Sequence, residues 1–70
     1  MSDDLRVPVW VCDKLLAAAI RAYPKEMLCY LVMRDNLVTA IEWVEYRSGY
    51  DWCEPVSVPD PAWIEVHSHL

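Results

Sequence analysis

Seventy residues bound this chain to one small domain, and a domain of that size buries only about 60% of its unfolded surface. Hydrophobic residues make up 56% of the chain, with four Trp and four Tyr among them, which excludes a disordered polypeptide. The formal net charge is -5 and the six Lys and Arg residues form no basic stripe, which argues against nucleic acid and against an anionic membrane as partners.

No apolar run approaches the ~18 residues of a membrane span; the longest, Met27 to Met33, has the length of a buried strand. The start, MSDDLRV, is acidic and lacks the basic-then-apolar layout of a secretory signal. Cys12, Cys29 and Cys53 are odd in number and widely spaced, which suits reduced thiols in a cytoplasmic protein.

In chain order, Val7, Val9 and Val11 alternate at period two and predict a strand over Leu5 to Val11, at an edge because Pro8 cannot donate to a ladder. Asp13 is placed to cap a helix through KLLAAAIRAY, with Leu16, Ala19, Ile20 and Tyr23 as its apolar face, and Pro24 ends it. Met27 to Met33 reads as a central strand buried on both faces. Arg34-Asp35-Asn36 signals a tight turn, and LVTAIEWVEY returns as the second arm of a hairpin. Gly49 and three prolines between Arg47 and Pro61 predict a loop, with a short extended piece at PVSV. AWIEVHSHL closes the described order as a last strand. The whole is a mixed α/β domain without internal repeats: a small mixed sheet of about four strands, with one amphipathic helix after the first.

Alternation along the last strand puts Trp63, Glu65, His67 and His69 on one face and Ile64, Val66, Ser68 and Leu70 on the other, the second facing the core. The two histidines then stand about 6.5–7 Å apart along the chain, and both rings can reach one ion at Zn–N distances near ~2.1 Å. A solvated polar tail fits the same spacing. Glu26, between a helix and the most apolar strand, is placed to act as a general base on water. Beside Lys25 it would equally serve as a solvated strand end.

The combination of a helix, PKEMLCYLVM, a hairpin, a Pro-rich loop and WIEVHSHL resembles the N-terminal half of the JAMM (MPN+) metalloprotease domain, a fold with a cytidine-deaminase-like layout. The resemblance implies one JAMM/MPN-like domain over residues 1–70, with Glu26 as the base and His67 and His69 as zinc ligands. It implies zinc-dependent hydrolysis of a peptide or isopeptide bond in a protein substrate, ubiquitin-like in many members. The family motif continues with a Ser and an Asp, the third zinc ligand, which counted from His69 fall seven and ten residues beyond Leu70. The expectation is therefore a domain lacking the C-terminal half of the family fold, truncated or inactive. The alternative is a catalytically dead interaction module that binds a ubiquitin-like or other protein. Glu65, Cys53 and a second chain stay open as sources of a further ligand. Leu70 stands where the family has Pro, and Cys29 and Met33 where it has Gly. A sheet without its covering half predicts self-association or a partner chain.

Overall fold

The computed structural model describes residues 4–69. The acidic start at Met1 to Asp3 and the orientation expected of Leu70 lie outside the described residues. Within them the order is helix α1 (Val9–Ala22), then strands β1 (Leu28–Arg34), β2 (Leu37–Glu42), β3 (Tyr46–Ser48), β4 (Cys53–Pro55) and β5 (Ile64–His67). The domain is thus α/β, with one helix and five strands in two sheets among the described residues. A three-stranded antiparallel sheet runs β2-β1-β5, and β3 and β4 form a separate hairpin.

The strand expected over Leu5 to Val11 is reduced to one parallel bridge, Arg6 to Leu37. The Arg6 N–H donates to the Asn36 carbonyl and the Arg6 carbonyl accepts from the Val38 N–H. Pro8, with no N–H, cannot extend that ladder; its carbonyl instead accepts the first helical bonds from Val11 and Cys12. The helix therefore begins at Val9, and Asp13 lies inside it rather than capping it. Its buried face is corrected accordingly. Val11, Leu15, Ala18 and Ala22 pack inward at helical spacing, and of the expected face only Ala19 joins them, while Leu16, Ile20 and Tyr23 are 63%, 67% and 70% exposed. Starting the apolar count at Val11 instead of Leu16 rotates the face by about a third of a turn.

The central strand is placed as the sequence predicts, but its burial stops short of Met33: Val32 is half-buried and Met33 exposed. Met27 to Leu31 are all buried, and β1 lies between β2 and β5. Asp35 and Asn36 take φ of 52° and 65°, the left-handed pair that a two-residue hairpin turn requires and that these short polar side chains tolerate. On one side of the sheet Cys29, Leu31, Ile64 and Val66 pack against α1 in two adjoining apolar clusters. On the other stand Tyr30, with its ring 6.3 Å from Trp63, and its cross-strand partner Glu65. Trp63 is half-buried there, packed on Tyr30 rather than within the α1-facing core.

The expected loop from Arg47 to Pro61 is the largest correction: the hairpin arm expected through Tyr46 ends at Glu42, and β3, starting at Tyr46, pairs with β4, Ser48 opposite Cys53 and Tyr46 opposite Pro55. The extended piece starts at Cys53, two residues before PVSV. Strands of three residues are too short to show a period. Gly49 allows this hairpin to close: its N–H donates to the Trp52 carbonyl at 2.9 Å, and a Cβ at Gly49 would run into the Trp52 indole.

Candidate metal centre

The register of β1 against β5 assembles the site. Leu31 faces Ile64, Tyr30 faces Glu65, Cys29 faces Val66 and Leu28 faces His67. The last strand, expected over Ala62 to Leu70, pairs only over Ile64–His67, and Ser68 and His69 follow it as Met27 and Glu26 precede β1. The hydrogen bonds follow that progression. The Ser68 N–H donates to the Met27 carbonyl at 3.0 Å, and the Met27 N–H donates to Ser68 Oγ at 2.8 Å. From the other side the Glu26 N–H donates to the Gly49 carbonyl at 2.9 Å, tying the strand entry to the β3–β4 hairpin.

These ties bring together all three residues singled out from the sequence. Glu26 Oε1 lies 3.2 Å from His67 Nδ1 and 3.8 Å from His69 Nδ1. The two imidazoles meet edge to face with centroids 4.5 Å apart, leaning closer together than their spacing along the strand. Burial falls steeply across the group. Glu26 is 3% exposed, whereas the His67 and His69 side chains are 34% and 75% exposed. Two electron-rich atoms 3.2 Å apart need a positive charge between them, either a ring proton or a cation. At 3.2 Å a ring N–H donating to the carboxylate satisfies the Glu26–His67 pair, and a cation held by the imidazoles would supply the same positive charge.

The second carboxylate oxygen, Glu26 Oε2, is buried and has no hydrogen-bond partner among the described residues. A buried acceptor of this kind costs roughly 1–3 kcal/mol unless a donor or a cation satisfies it. Cys53, from β4, completes the neighbourhood: one ligand atom each from Glu26, Cys53 and His67 lie within 4.8 Å of one another. Burial, followed by the charges of Glu26 and Glu65, raises the Cys53 thiol above its usual range. Beside it the Tyr30 hydroxyl donates to Glu65 Oε1 at 3.1 Å. Burial first, then that bond and charge, raise the Tyr30 phenol as well. Glu65 is therefore engaged with Tyr30 and is not among the three grouped ligand atoms.

No family model, curated protein or solved structure matches this chain.

Chemically, the grouped donor set of an imidazole, a thiol and a carboxylate, with the His69 ring outside that group but 3.8 Å from Glu26, is that of a zinc-type cation rather than of calcium or magnesium, which prefer oxygen. The orphaned Glu26 oxygen is a buried acceptor whose need for a positive partner is unmet among the described residues. A cleft of about 280 Å³ opens beside it, walled by Ala19, Ile20 and Tyr23 and reaching Lys25, Glu26 and His69. Among the described residues no helix is long and apolar enough to cross a membrane. Sequence reasoning missed the supporting members, Ser68 and Gly49. Ser68 was assigned only to the core-facing side, and nothing in the spacing marked the loop glycine as a backbone acceptor.

Proposed function

We propose that the chain is a zinc-dependent peptide or isopeptide hydrolase domain of the JAMM type, with His67 and His69 as ligands and Glu26 as the base. One observation carries the reading: a carboxylate 3% exposed, with one oxygen facing two imidazoles and the other unpartnered. Structural carboxylates that only end a strand keep their charge in water; this one has surrendered its hydration to face two metal-type ligands.

Bound zinc would supply Lewis acidity, stabilising charge on a polarised carbonyl and easing loss of a proton from water. The rest belongs to the chain's own residues. Glu26 accepts the proton from attacking water at its buried carboxylate and returns it to the leaving amine. Gly49 and Met27 fix the Glu26 backbone on both sides, through the 2.9 Å bond to the Gly49 carbonyl and the bonds to Ser68. The apolar wall of Ile20 and Tyr23 offers one side of a channel for an extended peptide, and Lys25 stands at its polar end.

The test is a pair of measurements on the untagged chain. Native mass spectrometry after zinc addition should find one ion per chain, and a peptide or isopeptide substrate should be cleaved. Glu26→Gln should keep the ion and lose at least about 100-fold in turnover, the range of a general base. Hydrolysis by Glu26→Gln at the wild-type rate would sink the assignment.

A second reading, an interaction module without turnover, is favoured by the exposed apolar stripe of Val9, Leu16, Ile20 and Tyr23 along α1. Such stripes mark interfaces with a protein or a second copy of the chain. Zinc bound without any cleavage, together with concentration-dependent association, would favour that reading over the enzyme.

A further inference from the structure

The reading of Glu26, His67 and His69 leaves a catalytic zinc one protein ligand short of the usual three. We propose that Cys53 supplies it, so that the ion is held by His67, His69 and the Cys53 sulfur while Glu26 remains outside the ligand set as the base. The inference rests on the zinc reading above and deepens it.

Three observations lead there. Cys53 Sγ is already within 4.8 Å of both Glu26 and His67. Tetrahedral zinc with Zn–S near 2.3 Å and Zn–N near 2.1 Å sets sulfur and nitrogen about 3.6 Å apart, so a closure of roughly 1.2 Å at most brings Cys53 and His67 to one ion; His69, outside that group, would join from its exposed position 3.8 Å from Glu26. The second observation is independent of the cysteine. Glu26 Oε2, buried and unpartnered, points to a positive group missing from this same cluster. The third is how β4 is held. Ser48 pairs with Cys53, and one residue on from Ser48 the Gly49 carbonyl accepts from the Glu26 N–H, so the hairpin that carries the thiol is tied directly to the Glu26 backbone.

The surroundings also discriminate against the other uses of a thiol. A nucleophilic or redox-active cysteine needs an electropositive setting that favours its thiolate. Cys53 has the reverse, half-buried with the Glu26 carboxylate within 4.8 Å. Adding a divalent cation inverts that balance, because the same carboxylate then stabilises the ion. On binding, the thiol loses its proton to solvent and forms the metal–sulfur bond, with no change of oxidation state.

Cobalt(II) is the probe, since a sulfur ligand gives it an intense near-ultraviolet charge-transfer absorption that nitrogen and oxygen ligands do not. The whole chain carrying Cys12→Ser and Cys29→Ala, with Cys53 its sole thiol, should bind one equivalent and show that band. Adding Cys53→Ser should abolish the band and weaken binding by about tenfold or more. On the unaltered chain, zinc should protect Cys53 from alkylation, mapped by peptide mass spectrometry, while the exposed Cys12 still reacts; this arm needs no variant to fold. One equivalent of cobalt bound without the band, or zinc bound with Cys53 still alkylated, overturns the cysteine ligand and leaves the histidine site standing. No metal bound by the unaltered chain overturns both.

Discussion

Single residues in this domain are tuned mainly by burial. Cys29 is fully buried on the α1-facing side of β1, and burial pushes its thiol from 9.0 up to about 11. The folded protein thus keeps a proton that the unfolded chain gives up above pH 9. The stabilisation is fully present below that pH and drains away as pH rises through 9 to 11. A shift of that size corresponds to about 2–3 kcal/mol. Urea unfolding of wild type and Cys29→Ala across pH 8–11 should show the wild type losing stability faster by this amount. The Tyr30 phenol, also raised, titrates in both proteins and cancels. Equal slopes in the two would rule the account out. The same physics separates the three thiols, for the exposed Cys12 is open to reagents while Cys29 is inert and Cys53 sits between acids.

At the scale of elements, α1 illustrates how a correct helix can be given the wrong face. Leu15 packs into both apolar clusters, whereas its neighbour Leu16 is directed outward. Leu15→Ala should cost about 2 kcal/mol, the low end for a leucine not wholly enclosed. Leu16→Ala should stay within about 0.5 kcal/mol. Chemical denaturation of the two variants decides between the faces, and a larger loss at Leu16 would restore the one expected from sequence. The residues explain the ambiguity. Both leucines belong to apolar sets at helical spacing, and only the unforeseen start at Val9, which brings Val11 into the helix, selects Leu15. The apolar run at Met27 and the Asp35-Asn36 turn were legible because each has a strong local cause: uninterrupted burial in one case, tolerance of positive φ in the other. Glu26, His67 and His69 were legible as types, but their convergence depended on the β1–β5 register, a long-range fact with no local signature. The β3–β4 hairpin was invisible, since three-residue strands held by Gly49 and the Trp52 ring carry no periodic signal. Cys53 consequently had no place in a spacing argument although it lies within 4.8 Å of Glu26 and His67.

The whole molecule shows where the balance of stability lies. Only eight apolar residues are buried among those described, a small core even for a chain of this length. The acidic cluster is a drain on it, because Glu26 is buried with an unsatisfied oxygen and stands near Cys53 and, through it, Glu65. A cation bound there would relieve that unfavourable burial and would tie β5, the strand entry and the β3–β4 hairpin to one point. It would bind the folded chain and find no assembled site in the unfolded one. Free zinc at a hundred times the dissociation constant therefore stabilises by about 2.7 kcal/mol. For a domain of this size each 1 kcal/mol raises Tm by about 4–8 °C, which gives a rise of roughly 10–20 °C. Differential scanning calorimetry with zinc and with excess chelator measures it directly. His67→Ala should abolish most of the rise, whereas magnesium, an oxygen-seeking ion, should leave Tm where it is. An equal rise with magnesium would mean nonspecific neutralisation of an acidic protein, and an unchanged Tm with zinc would leave the buried Glu26 carboxylate without the partner proposed for it.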